Sequence, residues 1–308
     1  MTTLALATPE LLSPGPPHTV QAPATVRRGF ADVAEGQVHF REAGRRSRAR
    51  RPLVMLHASP GSARMLEPLV AQLGRHRHVI ATDTLGNGDS SAPRLPAEGG
   101  MPSIAYFADA HVRALDALGI AAFDLYGSHT GANIACEIAI AHPQRVGRLV
   151  LDGVSLYSAE EREDMLKHYA PGVKIDQAGS QLHWIWNFVR DVYLFWPWYR
   201  RDAAHARSVG LPPADELHDK VVEVLKATRT YHYAYRSAIG YDKAPRLPLV
   251  RVPTLLACGA GDMLLAYFER VQALMPDARP LITRGTATPD ALAETARHFE
   301  AFLNESSP

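Results

Sequence analysis

The sequence has few cysteines, almost no net charge and no long apolar run, and each shortage argues against a class of protein. Cys136 and Cys258 are the only cysteines in 308 residues, and both lie in apolar stretches without metal-site spacing. This usage is typical of a reducing compartment. A formal net charge of +1 gives no reason to expect binding to nucleic acid or to an anionic membrane. Because no apolar run reaches about 18 residues, we expect no membrane span.

The N-terminal segment, residues 1–26, lacks the features of a signal peptide. It is rich in Pro, Ala and Thr, and has neither a basic leading segment nor a sustained apolar stretch. This composition predicts a flexible arm. A cytoplasmic location is the corresponding expectation.

Beyond the arm, strands and helices alternate along the chain. Residues 30–33 and 38–42 alternate apolar and polar side chains, which predicts an antiparallel hairpin. Continuous apolar runs at 52–57 and 78–83 are typical of buried parallel strands. With 46% hydrophobic residues, the chain can bury the core of one large domain. The fold class predicted is α/β, with a mostly parallel, doubly wound sheet. The remaining predicted elements are helices at 63–73, 104–118, 130–142 and 267–275, and strands at 123–126, 148–152, 253–259 and 279–284.

The alternation stops over residues 155–246, where we predict a helical cap over the carboxyl edge of the sheet. Residues 27–154 and 247–308 then form the core. Ser158 and Glu161 form the pattern of a capping box that opens a helix. All four tryptophans of the chain fall in the predicted cap. Most of its aromatic residues are expected to form the core of the cap, and a minority to line a pocket. The candidates for substrate binding are Trp184, Trp186 and Tyr233.

A glycine-framed turn follows the predicted strand at 123–126. It reads Gly127-Ser128-His129-Thr130-Gly131 and precedes a predicted helix. This is the frame of a nucleophile elbow, G-x-S-x-G, in which two glycines permit close passage of strand and helix. The central position holds His129 instead of a nucleophilic serine, and Ser128 falls one position early.

Four motifs in order give the chain its resemblance to a known family. They are the elbow, the loop Leu56-His57-Ala58-Ser59-Pro60-Gly61, the turn Asp83-Thr84-Leu85-Gly86-Asn87-Gly88-Asp89-Ser90, and the turn Cys258-Gly259-Ala260-Gly261-Asp262. Over residues 27–305 the chain resembles the α/β-hydrolase superfamily, as an atypical member. The resemblance implies the α/β-hydrolase fold with a cap domain. It also implies an oxyanion loop at residues 56–61 and a catalytic acid at Asp262.

The resemblance also implies a catalytic triad, and two of its members are missing. The family places a histidine between the last strand and the last helix, but residues 282–289 contain none, and Thr286 is the nearest occupant of that place. His298 falls inside the final helix, where we expect a solvated role. Asp152 is a second candidate for the acid, since some family members place it there.

The absence of both the elbow serine and the late histidine suggests one compensating change. An imidazole at the elbow projects further than a serine hydroxyl, so His129 can enter the space of the missing histidine and bond to Asp262. Such a dyad suits general-base catalysis, with the carboxylate fixing the tautomer. A nucleophilic His129 is the alternative. The oxyanion hole is expected at the backbone N–H groups of Ser59 and Thr130. For His57 the resemblance implies a role in supporting the oxyanion loop, and an acid, base or substrate contact is the other interpretation.

Three functions remain open from the sequence. The first is hydrolysis of a small apolar or aromatic substrate, such as an ester, a lactone or a C–C bond. The second is a cofactor-free lyase or decarboxylase on the same fold, and the third is a non-catalytic ligand-binding protein. Retention of the elbow glycines and the oxyanion loop favours an enzyme. We predict no cofactor, no metal, and no partner beyond a small-molecule substrate. The sequence does not reveal the oligomeric state.

Overall fold

The computed structural model of the protein describes residues 22–305. An eight-stranded sheet forms its centre, in the spatial order β1-β2-β4-β3-β5-β6-β7-β8. β2 pairs antiparallel with β1 and β4, and the remaining pairs are parallel. This confirms the predicted fold class. The strands are β1 Arg27–Val33, β2 Gly36–Ala43, β3 Leu53–Leu56, β4 Val79–Thr82, β5 Phe123–Ser128, β6 Val146–Asp152, β7 Thr254–Gly259 and β8 Arg279–Thr283.

The central strands are covered on both faces. Every residue of β3 and β4 is buried, as expected for the parallel strands of a doubly wound sheet. Val54 and Leu56 join one apolar cluster, whereas Leu53 and Met55 join another. Because successive side chains of a strand point to opposite faces, the two clusters lie on the two sides of the sheet.

Within residues 22–305, five helices outside the insert between β6 and β7 flank the sheet. Ser103 and Thr288 accept hydrogen bonds from the first turns of α2 (Ile104–Ala117) and α9 (Pro289–Leu303), which fixes where these helices begin. The helix predicted at 63–73 is in fact a 3₁₀ turn, Ala63–Leu66, followed by α1. The five helices are α1 Glu67–Leu73, α2 Ile104–Ala117, α3 Thr130–Ala141, α8 Phe268–Leu274 and α9 Pro289–Leu303.

The insert between β6 and β7 contains four further helices. They are α4 Ala159–His168, α5 Ser180–Leu194, α6 Ala214–Lys226 and α7 Tyr231–Gly240. Ser158 and Glu161 form the capping box at the start of α4. Tyr169, Phe188 and Tyr231 are fully buried in an apolar cluster of the insert itself. Most of the burial in the insert therefore serves its own packing.

Most of the predicted N-terminal arm, residues 1–21, lies outside the described residues. Residues 22–26 have no regular secondary structure, and the Ala24 N–H donates to the Ala71 carbonyl at 3.0 Å. Between residues 22 and 305, no helix combines the length and the hydropathy needed to cross a bilayer.

Candidate active site

The turn between β5 and α3 holds His129 in an unusual backbone conformation. Its φ of 50° and ψ of −106° make it the only non-glycine residue with positive φ between residues 22 and 305. A Cβ at Gly127 would lie 2.3 Å from the Gly131 carbonyl oxygen, and one at Gly131 would lie 2.2 Å from the Leu56 oxygen. Both positions therefore require glycine. Strained residues of this kind cluster at functional sites and cost about 1–3 kcal/mol each.

The imidazole of His129 and the carboxylate of Asp262 are in contact. His129 Nε2 and Asp262 Oδ2 lie 2.7 Å apart. Asp262 caps a short 3₁₀ helix, Met263–Tyr267, after β7, and its other oxygen accepts the Leu264 N–H at 2.8 Å. The carboxylate is therefore held on both sides. The His129 side chain is 28% exposed, so its ring is open to solvent.

Only one ring nitrogen of His129 has a partner among the described residues. Nδ1 has no hydrogen bond there, and it is not among the buried polar atoms that lack a partner. Because an ionised Asp262 accepts a hydrogen bond from the Nε2–H group, the neutral ring keeps an unprotonated Nδ1. The geometry thus leaves Nδ1 without a hydrogen-bond partner among the described residues.

Gly153, directly after β6, leaves the space that the His129 ring occupies. A Cβ at this residue would lie 2.6 Å from His129 Cδ2, 2.7 Å from Nε2 and 3.1 Å from Asp262 Oδ2. Its φ of +67° also disfavours other residues. The position of the dyad therefore depends on a glycine that belongs to none of the sequence motifs.

Electrostatics couple the two members of the dyad. Burial alone would lower the pKa of His129, but the charge and hydrogen bond of Asp262 raise that pKa above its ordinary value. Burial acts to raise the pKa of Asp262, and His129 brings it below the ordinary value instead. Both shifts favour the ionised pair over two neutral groups.

Asp152, the alternative acid, has a different partner. The Tyr126 hydroxyl donates to Asp152 Oδ2 at 2.7 Å. Burial raises the pKa of Asp152, and the nearby Asp262 charge adds to that increase. Burial also raises the pKa of Tyr126, and the Asp152 charge adds to that increase.

His57 lies beneath the loop that was expected to carry the oxyanion hole. Its ring is fully buried; Nδ1 lies 2.8 Å from the Ala58 carbonyl oxygen, and Nε2 accepts the Thr84 N–H at 2.9 Å. Burial lowers its pKa, so the ring is neutral with its proton on Nδ1. No ring nitrogen is left for a substrate. The substrate-binding prediction for His57 is therefore corrected, and its contacts are those of a residue that supports the loop.

The two backbone donors expected for the oxyanion hole are free of backbone partners. Within residues 22–305, the Ser59 and Thr130 N–H groups donate to no backbone carbonyl. Thr130 is the first residue of α3, so its N–H belongs to the positive end of that helix. The oxyanion hole at these two groups stays a prediction.

The end of the chain, from β8 to α9, provides no substitute for the missing histidine among the described residues. Thr286 is exposed in the loop after β8, and His298 is exposed on α9. Neither residue is bonded to Asp262 among the described residues. The side chain that contacts the acid is that of His129.

The three aromatic residues predicted to bind substrate have their observed contacts elsewhere. Trp184 stacks on Phe188 and borders a cavity of about 610 Å³ on the insert, whereas Trp186 is 41% exposed. Tyr233 packs its ring on His232 at 4.2 Å. None of the ring contacts of these three residues involves His129 or Asp262 within the described chain. Trp184 and Trp186 lie two positions apart on α5, so their side chains leave the helix on different faces. A role for Trp184, Trp186 and Tyr233 in substrate binding stays a prediction.

One cluster has the composition of a metal site. Atoms of His39, Asp83 and Asp89 lie within 4.8 Å of one another. The Asp83 carboxylate already accepts the Ala63 N–H at 2.7 Å and the Asp89 N–H at 3.0 Å, and lies 2.9 Å from His39 Nδ1. Its oxygens are occupied by donors that hold the turn after β4, so the cluster explains the geometry of that turn.

The family of the chain follows from comparison with known sequences. A sequence model of the alpha/beta hydrolase fold matches residues 51–285. The chain belongs to the α/β-hydrolase fold family. The matched range includes the elbow, the Asp262 turn and the whole insert.

Curated relatives resemble the chain over different lengths. A 1-acylglycerol-3-phosphate O-acyltransferase from Arabidopsis thaliana is 26% identical over 69% of this chain and 55% of its own length. A 2-hydroxymuconate semialdehyde hydrolase from a Pseudomonas species is 41% identical, over 33% of this chain and 36% of its own. This chain thus spans about half of the first relative and about a third of the second. A putative carbamate hydrolase RutD from Yersinia enterocolitica is 26% identical over 78% and 81% of the two chains.

Solved structures share the fold at low identity. The enol-lactonase from Burkholderia xenovorans superposes with a TM-score of 0.67 and 20% identity, covering 90% of this chain and 100% of that one. Epoxide Hydrolase A from Mycobacterium thermoresistibile also gives a TM-score of 0.67, at 18% identity, covering 91% and 98%. These likenesses establish the fold alone.

Sequence reasoning missed three residues around the dyad. Gly153 makes room for the ring, while Arg207 and Lys220 of the insert act electrostatically on Asp262 and His129. No motif indicates the two cations. Arg207 lies in an irregular segment and Lys220 lies on α6, and both are far along the chain from any motif. Gly153 directly follows Asp152, and only the position of His129 gives it significance.

Proposed function

We propose that the protein is a hydrolase in which His129, oriented by Asp262, activates a water molecule for attack on an acyl carbon. The observation that carries this proposal is the 2.7 Å contact between His129 Nε2 and Asp262 Oδ2. It leaves Nδ1 as the basic nitrogen, in a ring that is 28% exposed. A positioned base of this kind contributes about 10²–10⁴-fold to a rate.

In the proposed reaction, His129 Nδ1 takes a proton from water as the water oxygen bonds to the substrate carbonyl carbon. The carbonyl oxygen becomes an oxyanion and accepts hydrogen bonds from the Ser59 and Thr130 N–H groups. The C–O bond to the leaving alcohol then breaks, and the proton on Nδ1 passes to that alcohol. Asp262 stays ionised throughout and stabilises the imidazolium between the two proton transfers.

A general base is favoured over a nucleophilic His129. An acyl-imidazole would consume the lone pair of Nδ1, and its hydrolysis would then need a second base. Asp262 is engaged by His129 Nε2 and the Leu264 N–H, and Asp152 by Tyr126. No further base is thus provided for that step among these groups.

The substrate class is proposed from the activities of the curated relatives and from the position of the insert. Relatives described as hydrolases of 2-hydroxymuconate semialdehyde and of carbamates support hydrolysis of a small molecule. We propose that the insert, residues 155–246, acts as a cap that covers the substrate beside the dyad. The Arg207 contact to the Gly261 carbonyl brings the insert to the residue next to Asp262.

The test is hydrolysis of aryl and alkyl esters, lactones and β-keto acids by the wild type and by His129→Ala and His129→Ser. We expect kcat/KM to fall by about 10²–10⁴-fold in both variants, because neither provides a base. His298→Ala, which removes an exposed histidine of α9, is the matched control and should retain full activity. Unchanged activity in both His129 variants would disprove the proposal. Turnover of β-keto acids alone would identify a decarboxylase instead.

A further inference from the structure

A cavity of about 610 Å³ opens on the insert, and neither His129 nor Asp262 lines it. One wall is a single face of α5, because its lining residues lie three, four, seven and ten positions after Ser180. The segment after α5 forms the other wall. This volume lies within the range of about 300–1,000 Å³ that is usual for small-molecule sites. The cavity therefore has the dimensions of a binding site separate from the dyad.

Two tryptophan rings form the aromatic part of the cavity lining. Trp184 and Trp198 have ring centres 5.9 Å apart and ring planes at 87° to each other. Trp184 stacks on Phe188, and Trp198 Nε1 donates to the Tyr169 carbonyl oxygen at 2.9 Å, so both rings are held in place. A planar aromatic ligand can contact the face of one ring and the edge of the other, the two arrangements that aromatic pairs prefer. The cavity therefore suits an aromatic ligand.

Two arginines bring positive charge to the same cavity. Arg190 and Arg201 both line it, and they share a single carboxylate, that of Asp191. The Asp191 side chain is only 1% exposed, whereas the two arginine side chains are 36% and 51% exposed. No acidic side chain lines the cavity within the described part of the chain. Two positive charges against one buried negative charge leave the lining with one net positive charge.

The two guanidinium groups are held in place and keep unused donors. Arg190 contacts Asp191 Oδ1 through Nε at 2.8 Å and through Nη2 at 2.7 Å. Arg201 Nε lies 2.6 Å from Asp191 Oδ2, and its Cζ lies 5.4 Å from the centre of the Trp198 ring. Among the described residues, Nη1 of Arg190 and both Nη atoms of Arg201 have no hydrogen-bond partner. These three nitrogens can donate to a ligand without breaking the pairs with Asp191.

We propose that this cavity binds a planar aromatic carboxylate, with its ring against Trp184 and Trp198 and its carboxylate on the unused donors of Arg190 and Arg201. The planar N–H donors of a guanidinium match the geometry of a carboxylate. One net positive charge balances a monoanion, whereas a phosphomonoester with nearly two negative charges would keep an excess. The site rests on the cavity and its lining, and it holds whether or not His129 catalyses hydrolysis.

A purely structural role for Arg201 makes a different prediction, and the adjacent Arg200 provides the matched control. Arg200 is 48% exposed and pairs with Asp164 at 2.9 Å, but it does not line the cavity. Arg201 is 51% exposed and pairs with Asp191. If both arginines only stabilise the insert, their loss affects stability and leaves ligand binding alone. If Arg201 binds a carboxylate, only its loss weakens binding of that anion.

The test is calorimetric titration with 2-naphthoate, with its neutral analogue 2-naphthamide and with the aliphatic anion butyrate. We expect the wild type to bind 2-naphthoate at least about tenfold more tightly than either of the others. Arg201→Met should weaken 2-naphthoate binding by about tenfold or more and leave 2-naphthamide unchanged, whereas Arg200→Met should bind both as the wild type does. Equal binding of 2-naphthoate and 2-naphthamide, or wild-type affinity for 2-naphthoate in Arg201→Met, would overturn the site.

A second set of variants locates the bound ligand. Asn187→Trp adds an indole to the cavity lining without changing any charge, and it should abolish 2-naphthoate binding. Leu182→Trp, at an exposed position of α5 that does not line the cavity, is its control and should keep wild-type affinity. Because Arg201→Met and Asn187→Trp disturb different contacts, a folding defect in one leaves the other decisive.

His129→Ala separates the cavity from the proposed reaction. This variant should lose ester hydrolysis and still bind 2-naphthoate with wild-type affinity, because His129 does not line the cavity. Loss of 2-naphthoate binding in His129→Ala, or full binding in Asn187→Trp, would place the ligand elsewhere and refute the inference. Binding in the cavity by a wild type that hydrolyses no ester would support the inference and refute the hydrolase.

Discussion

Gly153 and His129 are sterically interdependent. The space where a Cβ of residue 153 would lie is filled by the His129 ring, at 2.6 Å from Cδ2 and 2.7 Å from Nε2. The same Cβ would be 3.1 Å from Asp262 Oδ2. An imidazole at the elbow can therefore reach the acid only because a glycine directly follows the next strand, β6. Two positions 24 residues apart together define one hydrogen bond.

Gly153→Ala should separate the dyad. The added methyl group cannot coexist with the ring at its present position, so we expect His129 to rotate away from Asp262. Hydrolytic kcat/KM should fall by about 10²-fold or more, since the base loses its orientation. The measurement is the rate of ester hydrolysis together with the free energy of unfolding from urea titration.

Gly119→Ala provides a matched control for the backbone effect. Gly119 has φ of +68°, against +67° at Gly153, and a Cβ there would meet nothing within 4 Å. Both substitutions should cost about 1–2 kcal/mol of stability for the left-handed backbone. Only Gly153→Ala should show the fall of about 10²-fold or more in kcat/KM. Equal activity in the two variants would mean that the ring contact has no catalytic consequence.

The pH dependence of activity should reveal the charge of Asp262. A protonated His129 cannot accept a proton, so kcat/KM for a neutral ester should rise with pH. Its midpoint should lie above 6.5, the ordinary pKa of histidine, because Asp262 raises the pKa of His129. Asp262→Asn removes that effect and leaves burial as the largest influence, which lowers the pKa, with smaller and opposing effects of the Asp152 and Lys220 charges. The midpoint should therefore move to lower pH, and the maximal rate should fall. A midpoint that is the same in both proteins would contradict the dyad.

The same shift has a consequence for stability with a defined sign. The folded pKa of His129 exceeds its unfolded value, so the pair contributes its full stabilisation below about pH 6.5. That contribution is lost as the pH rises through the folded pKa of His129. In His129→Ala, the loss of unfolding free energy relative to wild type should thus be larger at pH 6 than at pH 9. Urea titrations at the two pH values provide the measurement.

Local chemistry explains which parts of the fold could be predicted from the sequence. The elbow glycines, the apolar runs of β3 and β4 and the capping box at Ser158 are each determined by neighbours in the chain. Helix ends were predicted less well: the 3₁₀ turn at Ala63–Leu66 is held by Ser62 and by the Asp83 carboxylate. The latter contact depends on a residue 20 positions away.

The site was predictable only where a motif provided the residues. His129 and Asp262 occupy motif positions, and the missing late histidine suggested that they could meet. The surroundings of the dyad depend on long-range packing. Trp184 and Trp186 could not be assigned from the sequence, because the position of α5 relative to the sheet determines which of its faces meets the core. Arg207 could not be found either, since only the folded insert brings it next to the Asp262 turn.

The contact between the insert and the core offers a final test, because α6 makes one buried and one exposed polar link to the same loop. Ser62 Oγ donates to Glu223 Oε2 at 2.5 Å, and both residues are buried. Arg64 and Asp219 form an ion pair at 2.6 Å with side chains that are 41% and 48% exposed. Glu223→Ala should cost about 1–3 kcal/mol, since it leaves the buried O–H group of Ser62 without an acceptor. Asp219→Ala should cost less than about 1 kcal/mol, because solvent already screens that pair.

If the buried link holds the insert closed over the dyad, Glu223→Ala should also speed limited proteolysis within residues 155–246 more than Asp219→Ala does. Opening exposes backbone that is otherwise covered, and cleavage follows the population of the open form. Ser62→Ala should reproduce the effect from the core side, and the double variant with Glu223→Ala should be less destabilised than the sum of the two single changes. Additive costs would mean that the two residues act independently, and the closure would then depend on other contacts of the insert.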